Sequence, residues 1–253
     1  MKIDRVIVAS DENPLYTQFW PAVAESWSLL GIKPTLFLVS NDISVDESIG
    51  DVVRVKPLDG IPTSLQAQCV RLLAPTMFPE DVSVTSDIDM MPLSREYFVD
   101  TVADIKNDDF VIFSSDAYEN IPNFPCFPIC YNAALGSVFG EIFGFTMNEY
   151  EEAMKKWQAL GQGWTTDERV LYSQLKSWSG YDKRCTRLRR GWTPLATARV
   201  DRVHMQFDPR IMMARKYIDF HMLRPYDQYK EIIDYILACL KASRKSIALG
   251  ENT

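Results

Sequence analysis

Residues 5–10, Arg-Val-Ile-Val-Ala-Ser, make a nearly unbroken apolar run, the pattern of a strand covered on both faces in a parallel sheet. Apolar positions then recur at helical spacing at Leu15, Phe19, Val23, Trp27 and Leu30, after a cap at Asn13-Pro14 and before a stop at Gly31. Pro21 interrupts them, so the stretch reads as one kinked helix or two short ones. Residues 35–39 and 52–55 read as two more buried strands. Thr63 and Ser64 open a helix with Leu65, Cys69, Leu72 and Leu73 on its apolar side and Ser64, Gln68 and Arg71 on the other, and Pro75 ends it. A strand at 82–86, a helix capped by Ser94 and a strand at 110–113 follow.

Strands alternating with helices predict an α/β domain with a mostly parallel sheet, and ligands gather at the carboxyl ends of such strands. That rule puts Ser10-Asp11, Asp87-Ile88-Asp89 and Ser114-Ser115-Asp116 on one rim. The second half is less regular. Three prolines within 120–128 predict a loop over the rim, and 129–139 reads as strand-like. Asn148 caps a helix carrying Tyr150, Ala153, Met154, Trp157 and Leu160 inward, with Gly161 as its stop. Another helix starts at Thr165-Thr166 and carries Val170, Leu171, Leu175 and Trp178. Residues 229–240 place Ile232, Ile233, Ile236, Leu237 and Leu240 on one side, a docked amphipathic helix ahead of the basic Lys241, Arg244 and Lys245.

Composition adds exclusions. The chain has 253 residues, of which 47% are hydrophobic and 24% charged, the range of an ordinary folded domain, here read as a single one over 1–253. A net charge of -7 argues against a nucleic-acid-coating surface. No run reaches the length of a signal core or a membrane span, and five scattered cysteines read as reduced thiols, so the expected location is the cytoplasm. No G-x-G-x-x-G or G-x-x-x-x-G-K occurs, which excludes the usual nicotinamide and P-loop sites.

The candidate chemistry centres on Ser86-Asp87-Ile88-Asp89. Two carboxylates two residues apart at the end of a strand face the same side and repel unless a cation sits between them. Mg²⁺ or Mn²⁺, completed by phosphate oxygens and water, is the natural neutraliser. This region, with the preceding Ser64-Leu65-Gln66-Ala67-Gln68-Cys69-Val70-Arg71-Leu72-Leu73-Ala74-Pro75, resembles the glycosyltransferases of the GT-A fold, in particular glycogenin-like and bacterial galactosyltransferase-like enzymes.

The resemblance implies a Rossmann-like domain with a C-terminal helical extension: a nucleotide-sugar-binding half over 1–116, an acceptor-side half over 117–228, and a helix and tail over 229–253. It implies transfer of a sugar from a nucleotide-diphosphate-sugar, a UDP-sugar being favoured, to a hydroxyl of a glycan or glycoconjugate, with Mn²⁺ or Mg²⁺ as cofactor. The metal ligands would be Asp87, Asp89 and His221 of His221-Met222-Leu223-Arg224-Pro225, with His204 as the competing histidine. Ala9, Ser10, Asp11, Gln68, Arg71, Ser86, Asp87, Ile88 and Arg224 would contact the nucleotide-sugar, and Asp11 could equally serve only its turn. Asp167 or Glu168 would be the catalytic acid or base, although Thr165-x-x-Glu168 is also a capping-box pattern. Tyr131, Asn132 and Trp164 would meet the acceptor, with core strand as the alternative for the first two.

Two rivals stay open: a sugar nucleotidyltransferase, whose glycine-rich basic loop is missing at Ser10-Asp11-Glu12-Asn13, and a non-catalytic nucleotide- or carbohydrate-binding protein. The basic run Lys183, Arg184, Arg187, Arg189 and Arg190 is a solvated loop or a contact for an acidic acceptor or lipid phosphate. Membrane-surface contact by the C-terminal basic tail is the minority reading there.

Overall fold

A computed structural model describes residues 1–189 and 198–250, with side chains up to 244. β1 (Arg5–Asp11) leads to α1 (Pro14–Thr17) and α2 (Trp20–Leu29), so the helical stretch is broken in two ahead of Pro21. β2 (Lys33–Val39), β3 (Asp51–Val55) and α3 (Thr63–Leu73) follow, then β4 (Val82–Thr85), β5 (Met90–Pro92), α4 (Arg95–Phe98) and β6 (Phe110–Ile112). β7 (Asn132–Leu135) is shorter than expected, because Gly136 turns the chain into α5 (Gly136–Phe143). Val138, Phe139, Ile142 and Phe143 bury one helical face there, and Gly144, at φ 65°, ends it.

α6 (Tyr150–Gln158) is preceded by a single tight turn, whose capping box is Thr146 with Glu149 rather than a cap at Asn148. Leu160 lies beyond α6 and is 49% exposed. α7 (Thr166–Ser177), α8 (Tyr181–Arg184), β8 (Cys185–Arg187), β9 (Ala198–Val200), α9 (Pro209–Met213), β10 (Tyr217–His221) and α10 (Tyr226–Gly250) complete the chain. α10 runs on through Lys241, which pairs with Glu25 at 2.7 Å and so belongs to the helix's docking on α2 rather than to a free tail. Arg190 lies outside the described residues. No helix among them is long and apolar enough to cross a membrane.

Among the described residues the main sheet has seven strands in the order β3-β2-β1-β4-β7-β6-β8, with only β7 running against its neighbours. The unbroken apolar runs are explained by two cores. Val6, Val8, Leu36 and Leu38 face α2, α4 and α10, while Ile7, Ala9, Phe37 and Val39 face α3, α5, α6 and α7. Strand residues alternate between the layers, so both parities must be apolar. A second, three-stranded sheet, β5-β10-β9, sits beyond β4. Beneath it Asp219 is fully buried and accepts from Arg199 at 2.6 and 2.7 Å and from the Tyr131 hydroxyl at 2.9 Å, which satisfies that charge within the core.

Candidate functional site

The carboxyl ends of β1 and β4, the polar face of α3, the start of α7 and the end of β10 enclose a cavity of about 410 Å³. Ser64, Ala67, Gln68 and Arg71 line it from α3, at the spacing of one helix face. Asp87-Ile88-Asp89 is a turn joining β4 to β5, with Met90 N–H donating to the Asp87 carbonyl at 3.2 Å. It is therefore no extension of the strand, and Ile88, largely buried, lines the cavity with the two acids.

The small sheet delivers the histidine. β10 pairs antiparallel with β5 so that His221 stands opposite Met90, and Met222 N–H donates to the Asp89 carbonyl at 2.9 Å. This register sets His221 Nε2 at 3.5 Å from Asp89 Oδ2 and Nδ1 at 3.7 Å from Asp201. His204 is exposed in the turn after β9 and lines no part of the cavity. Of the two histidines, His221 is the one on the site.

Arg71 is 4% exposed, and its guanidinium is fully engaged. It donates to Asp87, to Asp167 Oδ2 at 2.9 Å and to the Ser86 carbonyl at 3.2 Å, while Nε reaches the Gln68 carbonyl at 3.2 Å. Arg71, expected to contact the nucleotide-sugar, lines the cavity and also braces the acidic turn against α7. Burial opposes the charge on Asp87, but the Arg71 guanidinium outweighs it and holds the carboxyl below the ordinary range. Burial raises the Asp167 carboxyl in spite of Arg71, with the nearby Asp87 charge adding to the rise.

Asp167 and Glu168 take different parts. Asp167 is buried against Arg71 and accepts from the Glu168 N–H at 2.9 Å. Glu168 accepts from the Tyr118 hydroxyl at 2.5 Å, and Thr165 makes no side-chain cap, so the capping-box alternative does not form. Burial pushes the Glu168 carboxyl up to about 7, the Tyr118 hydrogen bond pulling the other way and the Asp167 and Asp87 charges adding to the rise. A carboxyl in that range on a cavity wall is poised to exchange a proton near neutral pH.

The remaining predicted residues divide. Ala9, Ser10 and Asp11 line the cavity, and Asp11 serves its turn, accepting from Asn13 N–H at 3.1 Å, and also accepts from the Thr63 hydroxyl at 2.9 Å. Gln68 donates to the Trp164 carbonyl at 3.1 Å, and Trp164 stands 67% exposed at the cavity mouth. Arg224 lines the cavity with its guanidinium over the Tyr16 ring at 4.9 Å. Ser86 is fully buried behind the turn, outside the lining.

Tyr131 and Asn132 do not form an acceptor pocket. Each is 1% exposed; Tyr131 is spent on Asp219, and the Asn132 amide donates at 2.8 Å to the Pro128 and Ile129 carbonyls, which locks the loop into β7. Ser115 and Asp116 reach the same rim but open onto a neighbouring cavity.

Sequence reasoning missed Arg202 and Tyr118. Arg202 donates to Asp89 Oδ2 at 3.0 Å from the turn after β9. Tyr118 lies two residues beyond Ser114-Ser115-Asp116, the segment that the carboxyl-end rule placed on the rim, and that nearness was the signal available. Arg202 has no such signal, because it reaches Asp89 only through the β9-β10-β5 pairing.

Among the described residues no three acidic, cysteine or histidine side chains stand close enough to cage a cation. The donor set still suits a hard divalent ion that shares its shell with a ligand. Asp89 and His221 are 3.5 Å apart, close to the roughly 3 Å between neighbouring ligands of an octahedral ion with bonds of about 2.1 Å. Asp87, held anionic by Arg71, lines the same cavity.

No protein-family model matches the sequence, and no curated protein matches it. Solved structures do. The glycosyltransferase GlyE of Streptococcus pneumoniae TIGR4 aligns with 96% of the chain at a TM-score of 0.51 and 13% identity, and the chain spans 63% of GlyE's length, less than two thirds. The galactosyltransferase LgtC, in complex with donor and acceptor sugar analogues, aligns over 94% of this chain and 95% of its own at a TM-score of 0.50 and 12% identity.

The chain has the GT-A fold. In GT-A terms the cavity lies at the carboxyl ends of the parallel strands, where open α/β sheets bind ligands. Identities this low carry the architecture alone, so the chemistry rests on the cavity's own residues.

Proposed function

We propose that this GT-A protein is a metal-dependent glycosyltransferase that moves a sugar from a nucleotide-diphosphate-sugar, a UDP-sugar by preference, to a hydroxyl of a glycan or glycoconjugate. The observation that carries the reading is the β5-β10 register. It brings His221 beside Asp89 on the cavity that also holds Asp87 and the raised Glu168 carboxyl.

Asp87, Asp89 and His221 would hold Mn²⁺ or Mg²⁺, which supplies Lewis-acid stabilisation of the charge on a departing diphosphate. Arg224 and Arg202, on the same cavity, add positive charge for the phosphates. Ala9, Ser10 and Asp11, which line the cavity, would contact the base and ribose, and Trp164 offers an aromatic face at the mouth for a sugar.

Arg71 keeps Asp87 ionised and fixes α7, which sets Glu168 at the wall. An acceptor hydroxyl beside Glu168 loses its proton to that carboxylate as its oxygen bonds to the anomeric carbon, while the bond from that carbon to the diphosphate oxygen breaks. Free thiols at all five cysteines suit a reducing compartment, so the proposed location is the cytoplasm.

Thermal stability with UDP, GDP, dTDP and CMP and their sugars, each with and without Mn²⁺, tests the reading, because a ligand that binds only the native state raises Tm. The expected result is a metal-requiring shift for one nucleotide that disappears in Asp89→Asn. The absence of a shift with every nucleotide defeats it.

A further inference from the structure

Next to the cavity just described, and sharing its Tyr118 and Phe124 wall, lies a second hollow of about 910 Å³ between the loop after β6 and the α7-β8 region. Its floor is aromatic: Phe127 packs on Tyr172 at 5.0 Å, and Tyr118 on Phe124 at 5.0 Å. Among the described residues its rim carries three cations, Lys176, Arg187 and Arg189. Arg189 is neutralised by Glu119 at 2.6 Å and Asp116 at 3.7 Å, which line the same hollow.

Lys176 and Arg187 are different. Both are exposed, and among the described residues neither has a carboxylate partner. They converge on one ring, Tyr181, with Lys176 Nζ at 4.4 Å and the Arg187 guanidinium at 5.3 Å from its centroid. Arg187 also donates to the Tyr181 hydroxyl at 3.2 Å, which orients the guanidinium. Two like charges anchored on one ring repel, and an anion that meets both lowers that cost. A guanidinium presents a planar fork matched to carboxylate, sulfate or phosphate oxygens, and the adjacent aromatic faces suit the apolar face of a sugar ring.

We propose that this hollow binds the part of the acceptor beyond the accepting sugar, and that this part is an acidic glycan bearing a carboxylate, sulfate or phosphate held by Lys176 and Arg187. The inference rests on the glycosyltransferase reading for the word acceptor. The shared Tyr118 makes the connection, since the hydroxyl that holds Glu168 in the first cavity stands on the wall of the second. A glycan seated in the hollow therefore extends toward Glu168. The chain as a whole carries -7, so an acidic glycan is attracted only by a local field of this kind.

The test is retention of the whole protein on an array of matched neutral and acidic oligosaccharides, the acidic members carrying uronate, sulfate or phosphate, at low salt. Wild type and Asp89→Asn, altered only at the first cavity, are expected to be retained about tenfold better by acidic members than by their neutral partners, and Lys176→Gln/Arg187→Gln to lose that excess. Equal retention of neutral and acidic members overturns the proposal, as does an acid preference that survives the double variant. The UDP- and Mn²⁺-dependent Tm shift, measured on the same proteins, shows that the variant is folded and separates the two readings. A nucleotide shift without acid preference ends the acidic-acceptor inference alone. Acid preference without any nucleotide shift leaves an acidic-glycan-binding hollow and ends the transferase reading.

Discussion

The Tyr118 hydroxyl donates to Glu168 Oε1 at 2.5 Å, across 50 residues of chain, and so ties the loop after β6 to the first turn of α7. This bond favours the charged carboxylate and works against burial, which pushes the group up to about 7. If Glu168 accepts the acceptor's proton, turnover rises with pH and levels off above about 7. Tyr118→Phe removes a donor to the charged form, so the limb moves to higher pH. Glu168→Gln removes the limb and lowers kcat by roughly 10²–10⁴-fold. A pH profile of kcat/KM checks this, and the carboxyl ¹³C titration of Glu168 gives the same direction without turnover.

Arg71 is the brace most exposed to failure by mutation, because its removal leaves Asp87 and the buried Asp167 without a counter-charge. Arg71→Met is expected to cost about 3–5 kcal/mol of folding stability. The further change Asp167→Asn restores part of that loss by removing the uncompensated acid. Urea denaturation of the single and double variants measures both. A single variant as stable as wild type would show that water or rearrangement satisfies the two carboxylates.

Gly136, where β7 becomes α5, touches backbone rather than side chains. A Cβ there would lie 2.1 Å from the Pro75 carbonyl oxygen and 2.4 Å from that of Phe78. Those oxygens belong to the tight turn that ends α3, which cannot yield as a rotamer can. Gly136→Ala is therefore expected to cost at least about 3 kcal/mol, the upper end of ordinary overpacking. Gly144→Ala, whose Cβ would meet nothing but whose φ is 65°, should cost only about 1 kcal/mol. Chemical denaturation of the pair separates crowding from backbone strain.

The strands were legible because two apolar layers demand apolar residues at both parities, as at Val6, Ile7 and Val8. The rim was legible because each strand's end marks it. Tyr131 and Asn132 were misplaced for a reason local sequence does not reveal: an aromatic and an amide beside a proline loop look alike whether they face a ligand or tie down the loop. Their partners, Asp219 and the Pro128 carbonyl, settle it. The extent of β7 was misread since residues 129–139 are mostly apolar under either period, and the helix shows only in the buried spacing of α5. Selecting His221 over His204 came from the family resemblance. The physical reason, the β10 register against Met90, exists only in three dimensions.

Arg202 donates to Asp89 Oδ2, the oxygen nearest His221 and so the one that a divalent ion held as proposed would have to share. The arginine is partly exposed, so its pair with Asp89 is worth about 1 kcal/mol or less once solvent screening is counted. Arg202→Ala is therefore expected to tighten the binding of Mn²⁺ alone by a few-fold, up to about fivefold. The same variant loses a positive charge for phosphate, so its affinity for UDP in saturating Mn²⁺ should weaken. Titration of Mn²⁺ by electron paramagnetic resonance and of UDP by calorimetry reads the two effects separately. Opposite signs establish Arg202 as a counter-ion passed from Asp89 to the diphosphate. Weaker binding of both would mean that Arg202 instead holds Asp89 in the position from which it binds the ion.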